Sequence, residues 1–293
     1  MKPESLVRYH TRMQRVLAYI DEHLEQDLTV EMLSGVAAFS KHHFHRQFSS
    51  FFGIGVYRYI QLLRLKRASY RLAFRDREPV IQIALDSGYE GPEAFARAFK
   101  QRTKQTPSAF REEPHWAPWH DIHEQLNRAR SLTMQTRFHA DQVQIVNFPA
   151  TPVAILEHRG DPRTIGDSIR RFIAWRKANG VTPRTSKTFN VLHSDPDDTP
   201  PDEFRLGLCA ATEKVDANDD GIVAGMIPAG RCAVLRLKGS SDDLSPAVSY
   251  LYGEWLPKSG EELRDFPVFA ERVTFFPDLP EHEAITDLFL PLR

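Results

Sequence analysis

The sequence predicts two domains of different class. The first is an all-α N-terminal domain, two helix-turn-helix units joined by a long helix; the second is an α+β domain of two pseudo-symmetric β-β-α-β-β repeats. Two internal repeats and a charge asymmetry predict this. Phe44-His45-Arg46-Gln47-Phe48 recurs as Phe95-Ala96-Arg97-Ala98-Phe99, the pattern F-x-R-x-F at an offset of 51. PATPVAILEHRG, 149–160, is echoed by PAGRCAVLRLKG, 228–239, at an offset of 79. The 293 residues carry a net charge of -1, but residues 1–112 hold 18 Lys and Arg against 12 Asp and Glu, and the remainder holds 20 against 27. A basic module joined to an acidic one points to a polyanion that meets only the first half.

Both copies of the first repeat share one grammar. LTVEMLSGVA leads to a break at Ala38-Phe39, and PVIQIALDSGY leads to Gly88 and then EGPEAFARAF, with Pro92 suited to a first helical position. Read as a helix, the stretch after the first break puts Phe44, Phe48 and Phe52 on one side at i, i+4 and i+8. His42, His45, Arg46 and Ser49 line another side, and the offset of 51 carries them to Glu93, Ala96, Arg97 and Lys100. Short helix, sharp turn, then a helix with an aromatic underside and a polar ridge is a helix-turn-helix pattern. The histidines alone would suit a metal, a catalytic base or a base-edge probe. Zinc requires further ligands, and no Cys, Asp or Glu lies between Met32 and Asp76. VYRYIQLLRLKRASYRLAF, 56–74, with Tyr59, Leu62, Leu63 and Leu65 at apolar positions, reads as the long helix holding the units apart. Two helices so held fit successive major-groove faces, about 34 Å apart.

The ridge chemistry agrees. Arginine reaches guanine O6 and N7 bidentately, and glutamate accepts from cytosine N4. Ser40 and Lys41 at the start of the first reading helix, and Lys100 late in the second, suit phosphate contacts.

In the acidic half, DPRTIGDSIRRFIAWRKANG and SSDDLSPAVSYLYGEWLPKSG read as helices, with Trp175 and Trp255 now offset by 80. TFNVLHSD, EFRLGLCAAT, VFAERVTFF and AITDLFLPLR alternate as strands do. PHWAPWHDIH reads as an interdomain hinge inside a linker, 113–138, between domains 1–112 and 139–293. Its His120 and His123 are a second metal-like spacing. Cys209 and Cys232 cannot form a disulfide framework and read as small core residues. The first residues, MKPESLVRYHTRMQR, lack a signal-peptide run, and no apolar stretch approaches the ~20 residues of a membrane span. A reducing cytoplasm is the expected compartment. Beyond these histidine groups no Ser-His-Asp order, Gly-rich phosphate loop or Cys/His metal spacing appears, so no cofactor or metal is expected.

FSKHHFHRQFSSFFG, the R-L-K-R-A of 64–68, IALDSGYEGPEAFARAFK and TPSAFR together resemble the DNA-binding domain of AraC/XylS-family transcription regulators, over roughly residues 10 to 111. The resemblance implies two helix-turn-helix units reading an asymmetric site in double-stranded DNA. It places His42, His45 and Arg46 on bases from the first unit, and Glu93, Ala96 and Arg97 on bases from the second. The acidic Glu93 and short Ala96 suit a second unit that reads fewer bases and mainly positions the first.

YGEWLPKSGEEL, the glutamate of VFAER and the final DLFLPLR resemble the GyrI-like effector-binding domain, over 141 to 293. That implies a cleft between the repeats for a small molecule, often cationic and lipophilic, with Glu271 at its floor. A carboxylate there is costly to bury unpaired, and an incoming cation supplies the partner. Trp255, Tyr250, Tyr252, Trp175 and Phe275 are the candidate walls, each adding cation–π attraction of ~0.5–2 kcal/mol. Other readings are a Glu271 facing water or Arg272, and tryptophans that are plain core. Val273 stands where the family often has an aromatic. The expectation is a ligand-responsive transcription regulator, activator or repressor, with RNA polymerase a further partner. The alternatives are a hydrolase acting on a reactive small molecule through Glu271, which some stand-alone relatives are thought to be, and a docking domain whose pocket is filled by its own side chains.

Overall fold

Two helix-turn-helix units, a long connecting helix and a closing helix make up the first half of the computed structural model, which describes residues 3–131, 138–196, 198–240, 244–274, 276–279 and 281–293. The chain forms two units, Met1–Thr136 and Arg137–Arg293. In the first, α1 (Pro3–Glu22) precedes α2 (Val30–Val36) and α3 (Lys41–Phe52), followed by α4 (Val56–Phe74), α5 (Val80–Asp86), α6 (Pro92–Thr103), α7 (Pro107–Glu112) and α8 (Trp116–Ser131).

Capping sets these boundaries. Thr29 accepts from the Met32 amide to start α2, Ser40 accepts from the His43 amide to start α3, and Thr106 accepts from the Ala109 amide to start α7. Gly53 ends α3 in the left-handed region at φ 67°, and Lys104, 51 positions on, ends α6 the same way at φ 65°. The turns inside the two units carry Ala38 at φ 52° and Gly88 at φ 77°.

Core packing divides α4 in two. Its first half (Val56, Tyr59, Ile60, Leu62, Leu63) joins Met13, Val16, Ile20, Leu33, Phe44, Phe48 and Phe52. Its second half (Leu65, Ala68, Leu72) joins Ile83, Ala84, Phe95, Phe99 and Phe110. At 19 residues α4 spans ~28 Å.

The expected hinge is instead the start of α8. Trp116 and Trp119 are buried in the second core and Leu126 and Ala129 in the first, so this segment ties the two helix-turn-helix units together. Pro118 does not prevent the helix, because first-turn amides have no helical acceptor to lose. His123 is buried, stacks on Trp119 at 4.1 Å, and its Nδ1 lies 2.6 Å from the Trp119 carbonyl. Among the described residues no group of three or more His, Cys, Asp or Glu is placed to hold a metal.

The second unit is β1 (Val143–Phe148), β2 (Thr151–Arg159), α9 (Ile165–Ala178), β3 (Thr188–Leu192), β4 (Arg205–Ala211), β5 (Val223–Ile227), β6 (Gly230–Lys238), α10 (Ser245–Tyr250), a π-helical turn Leu251–Trp255, α11 (Leu256–Ser259), β7 (Phe269–Arg272) and β8 (Ile285–Pro291). The strands form one antiparallel sheet in the order β1-β6-β8-β7-β3-β4-β2-β5. Exchanging the repeats leaves that order unchanged. Each repeat lends its first strand to the other, β1 pairing with β6 and β5 with β2.

The two sequence offsets have a structural cause. β2 maps onto β6 at 79, whereas β4 maps onto β8 at 80. Between them lies the π turn, and one extra residue is what a π turn absorbs. Trp175 and Trp255 are consequently both buried.

Strand alternation separates two faces. On one, Ala154, Leu156, Leu208 and Ala210 pack under Phe172 and Trp175 of α9, and Ala233, Leu235, Leu288 and Leu290 pack under Ala247, Leu251 and Trp255. The other face gathers Phe148, Phe189, Val191, Cys209, Cys232, Phe269 and Phe289.

Candidate nucleic-acid interface and small-molecule cavity

On α3, Phe44, Phe48 and Phe52 are buried, while His42, His45 and Arg46 are exposed, as are the N-cap Ser40 and Lys41. Lys41 also pairs with Glu31 of α2 at 2.7 Å. On α6, Phe95 and Phe99 are buried; Glu93, Arg97 and Lys100 are exposed and Ala96 is half-buried. The two helices thus present matching ridges at an offset of 51.

Not every cation of this half is free for a polyanion. On α4, Arg64 donates to the carbonyls of Leu24 (2.9 Å) and Gln26 (2.6 Å), and Arg67 pairs with Glu25 at 2.7 Å. Arg71 is buried between Glu78 and Asp86; burial works against its charge, but the bonds and charges of both carboxylates hold its guanidinium above the ordinary range. The basic run of α4 is therefore internal stapling, which the pattern of residues alone did not reveal.

In the second unit a cavity of about 460 Å³ opens on the face without helices. Strand register builds it. Phe189, Glu271, Asp287 and Arg236 lie side by side across β3, β7, β8 and β6, and Val191, Phe269, Phe289 and Val234 form the next row. Glu271, Asp287, Lys187 and Arg236 line the cavity with Phe148, Phe189 and Phe289.

Lys187 Nζ lies 3.1 and 3.2 Å from the two carboxylate oxygens of Glu271. Arg236 donates to both oxygens of Asp287, at 2.7 Å each. The carboxylates are nearly covered, their side chains 13% and 12% exposed, while Lys187 and Arg236 are 65% and 64% exposed. The bonds to Asp287, then its charge and that of Glu271, hold the Arg236 guanidinium above its ordinary range.

Of the six expected ligand residues, Glu271 lines the cavity. Trp175 stacks on Phe172 beneath α9, and Trp255 packs with Leu251 and Leu288. Tyr250 meets Phe138 and Tyr252 is exposed on the π turn. Phe275 lies outside the described residues. Both tryptophans miss the cavity because helix spacing turns them toward the covered face, whereas the walls come from alternate strand positions. Glu271 is not unpaired either. Its partner is Lys187, while Arg272, next in the strand, has the opposite facing. Lys187, Asp287, Arg236, Phe148, Phe189 and Phe289 escaped the sequence reading; the period-2 alternation around VFAER and TDLFL was the available signal.

Residues 33–113 match a family of helix-turn-helix domains, and residues 141–293 match the GyrI-like small molecule binding domain. The probable transcriptional regulator YgiV of Escherichia coli K12 is 38% identical over 152 residues, 51% of this chain and 95% of that protein. The uncharacterized HTH-type transcriptional regulator YbfP of Bacillus subtilis is 38% identical over 103 residues, 35% of each chain. The crystal structure of the EcmrR C-terminal domain is 19% identical with a TM-score of 0.44, over 52% of this chain and 96% of that one. The chain belongs to the GyrI-like family, carrying an AraC-type helix-turn-helix domain ahead of its small-molecule-binding domain, and is a DNA-binding transcription regulator that senses a small molecule.

Proposed function

We propose that α3 and α6 read one DNA site from a single chain, and that the cavity at Glu271 takes a small lipophilic cation that changes the readout. His42, His45 and Arg46 contact bases from α3, and Glu93, Ala96 and Arg97 from α6; Ser40, Lys41 and Lys100 hold phosphates. The DNA-reading segment is 1–112 with α8 packed onto it, and the sensor is 139–293. RNA polymerase is the partner on which such a regulator acts, in the cytoplasm, and the sensor binds its ligand without converting it. The observation that supports the DNA reading best is the pair of exposed ridges, each set on buried phenylalanines at one constant offset. Base-reading arginines predict that Arg46→Ala and Arg97→Ala each lose ~1–3 kcal/mol on the specific site, with nonspecific DNA little affected. Titrations of both variants on specific and random duplexes at several salt concentrations decide this; a uniform small loss on all DNA reduces the arginines to phosphate contacts. For the sensor, a candidate cation recovered unchanged after long incubation agrees with binding alone, and turnover lost in Glu271→Gln contradicts it.

A further inference from the structure

The place at Glu271 where a ligand's cation would sit is already filled from within. Lys187 Nζ is 3.1 and 3.2 Å from the two carboxylate oxygens, close to both as an incoming ammonium would be. Its backbone is fixed by neighbours on either side: Ser186 Oγ donates to the Ala211 carbonyl at 2.6 Å, and Arg176 donates to Thr188 Oγ1 at 2.7 Å. Its side chain is not fixed. It is 65% exposed and can swing into water, regaining rotamer freedom as it leaves.

The second carboxylate differs. Asp287 is held through two 2.7 Å bonds by a planar guanidinium, a geometry that a monocation cannot replace one for one. Of the two ion pairs on the cavity wall, Lys187–Glu271 is the exchangeable one. Phe148 and Phe289 line the same cavity, placed to cover the apolar body of whatever cation enters.

We propose that Lys187 is a specificity-determining residue, a tethered competitor that occupies Glu271 until a cationic ligand displaces it. This rests on the reading that a cation meets Glu271. Displacement raises the concentration at which every cation loads. It favours those whose apolar part adds enough contact with Phe148 and Phe289, since an ammonium alone merely exchanges one ion pair for another.

The test uses calorimetric titration of the full chain with benzyltrimethylammonium and its uncharged isostere neopentylbenzene. Lys187→Met, which keeps the stem and removes the charge, is expected to bind the cation about fivefold tighter, the worth of an ion pair with one exposed partner. Its affinity for the isostere stays at the wild-type value, and Lys187→Arg stays near wild type for both. In a Glu271→Gln background Lys187→Met gains nothing. If Lys187→Met leaves cation affinity unchanged or weaker while Glu271→Gln still weakens it, Lys187 is no competitor although the cation reading stands. If wild type prefers the isostere or treats both alike, and Glu271→Gln loses nothing, that reading falls and the proposal with it.

Discussion

Single residues show most clearly what burial does to chemistry. Cys209 is enclosed among Phe189, Phe148 and Ile227, and burial pushes its thiol from 9.0 up to about 12. A raised thiol stabilises the fold below pH 9 and loses that contribution as pH climbs toward 12. At pH 8 the thiolate fraction is ~10⁻⁴, so iodoacetamide is expected to leave Cys209 unmodified in the native protein and to alkylate it in denaturant; mass spectrometry of the two samples checks this. The cysteines were legible as core residues from composition. The cavity was less legible. Glu271 came from a motif, but its partner Lys187 lies 84 positions away, and linear sequence does not say which strands will pair. Arg236 and Asp287 meet through β6–β8 pairing for the same reason.

Elements were more readable, because periodicity is local. The buried phenylalanines of α3 and α6, the split apolar stripe of α4 and the strands of both repeats follow from spacing. α8 is hard to read from sequence because Pro114 and Pro118 suggest a break, although Trp116, Trp119, His123 and Leu126 follow helical steps. The turns give a direct prediction. Ala38 sits at φ 52° where the second unit has Gly88 at φ 77°, and a side chain in that region costs ~1–2 kcal/mol. Ala38→Gly is expected to stabilise the helical unit by ~1 kcal/mol, net of glycine's greater chain entropy, read as a higher midpoint in urea. The reverse change, Gly88→Ala, sets a methyl 2.5 Å from Arg64 Nη1 in addition to the φ penalty, so it is expected to destabilise more than Ala38→Gly stabilises.

At the scale of the whole molecule, sensing requires that the ligand bind the DNA-competent and incompetent states with different affinity; tight binding alone shifts nothing. On the proposed reading Lys100 and Lys41 hold phosphates, and so belong to the nonspecific part of the interaction. Lys100→Ala is expected to weaken all duplexes alike and to lower the salt slope of binding by about one. The duplicated build of the sensor was visible as an offset of 79 that becomes 80, but the strand exchange was not, since either pairing satisfies the same alternation. That exchange has its own consequence. With β1 lent to one half and β5 to the other, neither half owns a complete sheet, so cutting the gene between them should yield two insoluble pieces. The intact sensor is instead expected to melt in a single transition, and a molecule bound at Glu271 is expected to raise that midpoint for both halves together.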